Sequence, residues 1–176
     1  HRLRVRFHCS RMSFEVTLEM QSREIRSRPT VVSSPVFISV LYRSGSTLLA
    51  LILDQSDEIK TSYDLVHFMR FSYGKYLPIT ANYQQLIEDT ACRIRRRVSI
   101  ELDKDEVARN VESNENVTEA LVYDEIMKSM LRLKEGARWG DKSAMSWTAI
   151  PQFLDMFSNG KVIHIYRDPR AVLASY

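Results

Sequence analysis

Cysteine is nearly absent, with two in 176 residues, Cys9 and Cys92. Such a pair builds no disulfide framework and no metal-ligand cluster, which excludes a stapled scaffold and a zinc-finger module. Long apolar runs are also missing. The longest, Leu48 to Leu53, falls far short of the about 18 residues that read as a membrane span. Charge of one sign is not in large excess: 25 Lys and Arg stand against 22 Asp and Glu, a net of +3. That balance alone does not imply a nucleic-acid partner. Internal repeats and low-complexity tracts are absent as well, which excludes solenoids and linkers. What remains is ordinary for a globular protein: 44% hydrophobic and 27% charged residues. The length fits one domain or part of one. The chain opens on His1 and stops at Tyr176 inside a helical pattern. The expectation is therefore a fragment, with any membrane anchor outside it.

Residues 1–34 are basic and then polar, and read as a solvated leader that ends at Pro35. "VFISVLY" is short, β-branched and aromatic, the pattern of a buried strand. "STLLALILD" follows as a helix expected to be buried on most sides. Strand, tight turn and buried helix begin a parallel α/β unit. Tyr63 to Ile79 reads as a loop-rich insertion, and residues 81–135 as mostly helical. Tyr123, Met127, Met130 and Leu131 form one apolar helix face and are taken as core. Asn116 and Glu119 resemble a capping pair, and "RIRRR" at Arg93 to Arg97 a solvated helix face within reach of an anionic ligand. "ARWGDKS" reads as a short strand ending in a polar turn, Thr148 to Phe157 as a helix, and "KVIHIY" as a second buried strand. In "RDPRAVLASY" Asp168 suits an N-cap and Pro169 the first helical position.

Between the first strand and its helix stand Arg43, Ser44, Gly45, Ser46 and Thr47. A strand that enters a small-residue turn and then a helix makes an anion site. The first N–H groups of the helix have no internal partner, and the helix dipole adds positive potential. Gly45 lets the backbone approach the anion, the hydroxyls donate hydrogen bonds, and Arg43 adds a charge. The pattern is not that of a nucleoside-triphosphatase loop, G-x-x-x-x-G-K-[ST]: Val40 stands where the first glycine belongs and Ser46 where the lysine belongs. A second strand-to-helix junction carries Arg167, with Ser175 two turns further on. Two such junctions on neighbouring parallel strands can hold two phosphates of one nucleotide at the carboxyl edge of a sheet.

"YRSGSTLL", "WGDKS" and "VIHIYRDPRAVLAS", in this order, resemble the motifs of the sulfotransferases that use 3′-phosphoadenosine 5′-phosphosulfate (PAPS). The resemblance covers residues 36–176. With 25 residues from Lys142 to Arg167, it is similar to the carbohydrate and tyrosylprotein branch. It implies an α/β, P-loop-like three-layer fold with a central parallel sheet flanked by helices, truncated at the C-terminus. It divides the chain into the leader, 1–34, and the N-terminal portion of a sulfotransferase domain, 35–176. It implies PAPS as donor, no metal and no nucleic acid, and a glycan, tyrosine peptide or small alcohol as acceptor. By position, Arg43, Ser44, Gly45, Ser46 and Thr47 bind the 5′-phosphosulfate, and Arg167 and Ser175 the 3′-phosphate. The catalytic base falls at Asp64, 21 residues after Arg43, where the family has a glutamate; His67 is the substitute. Lys142 stabilises the transition state. Two alternatives stay open: a P-loop-like kinase or hydrolase with a degenerate loop, and a non-catalytic nucleotide-binding fragment.

Overall fold

The computed structural model describes residues 2–9, 12–19 and 33–175. Much of the expected leader, residues 20–32, lies outside the described residues, as does Tyr176. Four parallel strands form the centre: β3 (Val36–Val40), β4 (Ile59–Tyr63), β5 (Arg138–Ala144) and β6 (Lys161–Tyr166). Two further strands, β1 (Arg2–Cys9) and β2 (Met12–Glu19), form an antiparallel hairpin whose second strand pairs antiparallel with β6. The sheet order is β1-β2-β6-β3-β5-β4.

β3 is buried along its whole length because helices cover both faces of the sheet, and its β-branched and aromatic residues suit that place. One face carries α1 (Ser46–Leu53), which closes Val36, Ile38, Val40, Ile59, Ala144, Ile163 and Ile165 beneath Leu49 and Leu53. The other face carries the larger core. Here α3 (Ile79–Arg97), α4 (Lys104–Glu112), α5 (Glu119–Leu131) and α6 (Ile150–Met156) pack with Phe37, Trp139 and Val162. Its centre is aromatic: Tyr123 stacks on Phe68 at 4.2 Å, and Trp139 packs edge-on to Phe157 at 5.5 Å. The result is the three-layer α/β arrangement expected from the sequence.

Several local expectations change. α1 is not buried on most sides: Leu48, Leu51 and Ile52 are 53%, 50% and 58% exposed, because only its strand-facing side meets the sheet. Thr118, not Asn116, caps α5, its hydroxyl accepting from the Leu121 N–H at 3.1 Å. The segment 63–79 contains α2 (Phe68–Phe71), and the preceding strand β4 carries no apolar alternation that would announce it. "GDKS" lies inside β5 rather than in a turn after it. Thr148 to Phe157 divides into a 3-10 turn at Trp147–Ala149 and α6. Asp168 and Pro169 do cap and open α7 (Pro169–Leu173). Among the described residues no helix is long and apolar enough to cross a membrane.

Candidate active site

The carboxyl edge of the parallel sheet gathers the candidate residues. Reading across it from β6 through β3 and β5 to β4, one meets Arg167, the Arg43 loop, Lys142 and Asp64. Four of the five non-glycine residues with positive φ among the described residues lie here: Arg43 (63°), Asp64 (53°), His67 (46°) and Met145 (58°). Each such residue costs about 1–2 kcal/mol, so the surrounding structure holds this edge in an unfavourable backbone state.

The loop after β3 turns through left-handed Arg43 and Gly45 (φ 88°) into α1. Gly45 is the N-cap, and no side chain caps the helix, so the first-turn N–H groups are left for another acceptor. Buried Ser44 donates its hydroxyl to the Leu41 carbonyl at 2.6 Å and so shapes the loop from inside. Ser46 is buried and Thr47 exposed. The far end of α1 is tied to β4 through Asp54, whose carboxylate accepts from the Thr61 N–H at 2.7 Å and the Tyr63 hydroxyl at 2.6 Å.

Arg43, Arg167 and Ser175 come together, although 132 positions separate the first from the last. The Arg43 guanidinium donates to the Ser175 carbonyl at 3.1 and 2.9 Å, and Nε lies 3.4 Å from Ser175 Oγ. Arg167 donates to the Arg43 carbonyl at 2.9 Å. The two junctions that the sequence marks as phosphate-binding thus form one cationic patch.

Asp64 and Lys142 form an ion pair between the end of β4 and β5. The second carboxylate oxygen of Asp64 accepts from the Ala144 N–H at 3.0 Å, and its own N–H donates to the Lys142 carbonyl at 3.0 Å. Lys142 is buried, while the Asp64 side chain is 30% exposed and reachable. His67 lies beside them, with Nε2 4.0 Å from the Asp64 carboxylate and Nδ1 3.3 Å from Ser143 Oγ. Burial lowers the pKa of His67; Asp64 opposes this, and Arg97, Arg70 and Lys142 reinforce it, so the ring is neutral near pH 7.

Three partners escaped the sequence reading. Arg97, in the basic run, donates to the Asp64 carbonyl at 2.5 Å. Tyr123, read only as core, donates its hydroxyl to Asp141 at 2.5 Å. Asp141 sits next to Lys142 in sequence, but the strand pleat sends it to the opposite face, into the larger core. Burial raises its pKa to about 6, against the lowering by the Tyr123 hydrogen bond. The residue adjacent to a motif lysine was the available signal. Its burial was not legible without the sheet.

The carboxyl edge of the four parallel strands, packed between helices, thus sets an uncapped helix N-terminus beside the guanidinium groups of Arg43 and Arg167, hydrogen-bond donors of the kind that anions accept. The sulfotransferase family model matches residues 35–176, most of the chain, and the chain belongs to that family. No curated protein matches it significantly. Family membership gives the class of chemistry, sulfuryl transfer to an acceptor.

Proposed function

We propose that this protein transfers a sulfuryl group from PAPS to a hydroxyl or amine of an acceptor, in the manner of the carbohydrate and tyrosylprotein branch. The observation that carries this reading is the row along one sheet edge: Arg167 and Ser175 against the Arg43 loop, then Lys142 paired with Asp64. The first group suits the donor's phosphates. Guanidinium groups and free helix N–H groups are the donors that phosphate and sulfate oxygens require. The backbone N–H groups of Gly45, Ser46 and Thr47 and the Thr47 hydroxyl take the 5′-phosphosulfate, and Ser44 supports them from below. Arg167 and Ser175 take the 3′-phosphate.

In the reaction the acceptor oxygen attacks sulfur in line. The bond from sulfur to the bridging phosphate oxygen breaks, and the nucleotide leaves as its 3′,5′-bisphosphate. Asp64 takes the acceptor proton; its exposure leaves a lone pair open beside the two oxygens' existing partners. Lys142 holds that carboxylate in place and offers its charge to the developing negative oxygen. The pairing makes the two residues one unit, so their effects do not add.

The test is transfer of radiolabelled sulfuryl group from PAPS, with and without Mg²⁺, across glycan, tyrosine-peptide and small-alcohol acceptors. Asp64→Asn is expected to lower turnover by roughly 10²–10⁴, with donor affinity unchanged. Lys142→Ala in the Asp64→Asn background is expected to add far less than it does alone. Near-normal turnover in Asp64→Asn with loss in His67→Ala would move the base to His67. Thermal stabilisation by ATP that requires Mg²⁺, without PAPS binding, would overturn the donor assignment in favour of a kinase or hydrolase.

A further inference from the structure

The transfer reading gives no task to two buried hydroxyls at the end of β5, those of Ser143 and Ser146. Burying a polar group costs free energy unless it is hydrogen-bonded, and these two form a row with buried His67. His67 Nδ1 lies 3.3 Å from Ser143 Oγ, and Ser143 Oγ lies 2.8 Å from Ser146 Oγ. The Ser146 hydroxyl donates to the Ala144 carbonyl at 3.2 Å. The backbone fixes the ring's end of the row: His67 is left-handed at φ 46°, and its carbonyl accepts from the N–H groups of Arg70 and Phe71, both at 3.0 Å.

The row has a direction. A carbonyl only accepts, so the single proton of Ser146 goes to Ala144, and the Ser146 oxygen accepts from Ser143. With its own proton committed, Ser143 accepts in turn, and the donor left for it is Nδ1–H of His67. The neutral ring then carries no proton on Nε2, the nitrogen beside Asp64. The spacing agrees. Nε2 stands 4.0 Å from Asp64 Oδ1, beyond the about 2.7–3.2 Å that an N–H donating to the carboxylate would set.

We propose that Ser143 and Ser146 are positioning residues: they hold His67 in its Nδ1–H tautomer, so that bare Nε2 accepts a hydrogen bond from the Asp64 carboxyl once Asp64 has taken the acceptor's proton. The proton stays on Asp64, and His67 stabilises it there. The opposite tautomer would donate to the carboxylate and weaken it as a base. The proposal rests on the transfer reading for the role of Asp64, and on the hydrogen-bonded row alone for the tautomer. The charged groups that face the ring are Asp64 after β4, Lys142 of β5, Arg97 of α3 and Arg70 of α2. Burial is the largest influence on the ring and the three cations act with it, so the imidazole gains its second proton only below the ordinary 6.5.

Nitrogen NMR of the full chain, with isotope-labelled histidine rings, reads the tautomer directly, and the signals lost in His67→Gln assign it. At about pH 8, where the ring is neutral, the wild type should show a proton on Nδ1 and none on Nε2. Ser143→Ala should move that proton toward Nε2. The control is Ser39→Ala, which removes another buried serine hydroxyl 3.3 Å from the Nδ1 of a different histidine, His164, and should leave the His67 signals and turnover unchanged. In the radiolabelled transfer assay, Ser143→Ala should lower kcat about tenfold at about pH 8, with affinity for 3′-phosphoadenosine 5′-phosphate within about twofold. The deficit should shrink as pH falls through the imidazole's pKa, because both tautomers give the same imidazolium. A packing defect alone would give the same deficit at every pH, and that result would overturn the proposal. So would a proton on Nε2 in the wild type; with turnover intact, the transfer reading would still stand. If Ser143→Ala does not fold, the wild-type spectrum decides the tautomer. If no acceptor is turned over, the transfer reading fails and takes the role in turnover with it, while the spectra still decide whether the serines set the tautomer.

Discussion

Helix α1 is the more apolar of two helices that flank the sheet, and the less buried. Six of its eight residues, Leu48 to Leu53, are apolar, yet only Ser46 and Ala50 are buried. Helix α5 contains Asp124, Glu125 and Lys128 among its 13 residues, yet nine of them are buried. The difference lies in what surrounds each. α5 lies among α3, α4 and two strands, and its polar groups are matched there: Asp124 accepts from the Trp139 indole at 2.7 Å and pairs with Lys128 at 2.6 Å. α1 meets the sheet with one side only. Its contribution to the edge is its N-terminus, opened by Gly45. Burial follows position in the layers more closely than composition.

That division between a core helix and an edge helix can be tested by what breaks each. The largest expected effect is under α5. Tyr123→Ala removes a fully buried ring that stacks on Phe68 and donates to Asp141, and should lower stability by about 3–5 kcal/mol in urea denaturation. A loss below about 1 kcal/mol would show that α5 is less central than its burial implies.

Asp141, on the same side, gives a pH signature. Burial lifts its folded pKa to about 6, above the ordinary carboxylate value of 3.8, so the folded state holds the proton more tightly. Its contribution to stability is full below about pH 4 and is lost as pH rises to about 6, the reverse of a salt-bridged aspartate. The stability difference between wild type and Asp141→Asn should therefore change by roughly 2–3 kcal/mol across that window and stay level above it. A flat difference would place the carboxylate in a wetter site.

At the edge the sign of the comparison inverts: function changes while the fold does not. Arg167→Ala should weaken binding of 3′-phosphoadenosine 5′-phosphate by about 1.5–3 kcal/mol, bring its affinity close to that of 5′-AMP, and leave the unfolding midpoint in place. Equal affinity of the unaltered protein for the two nucleotides would remove the 3′-phosphate assignment. The smallest effect belongs to the outer side of α1. Ile52→Ala, at a position 58% exposed, should cost less than about 0.5 kcal/mol despite deleting most of an apolar side chain. A cost of several kcal/mol would mean that this side of α1 is covered in solution.

The sequence by itself determined the features that local forces set. β3 and β6 are legible as short β-branched runs, and α7 as Asp168 followed by Pro169. The turn between β3 and α1 is legible because Gly45 and its hydroxyl neighbours interrupt two apolar segments. Each depends on residues a few positions apart, whose backbone preferences and caps act before any packing. The tertiary structure alone decided the rest. The ion pair of Asp64 with Lys142 spans 78 positions, and the contact of Arg43 with Ser175 spans 132. β4 has too little apolar pattern to be read, and is a strand because β5 offers it a ladder of hydrogen bonds. Asp141 and Lys142 are neighbours in the chain and part company only because a pleated strand between two layers sends alternate side chains to opposite faces. Which apolar residues of α1 are covered was likewise not a property of α1, since burial is conferred by the neighbours that the fold brings, and those come from distant parts of the chain.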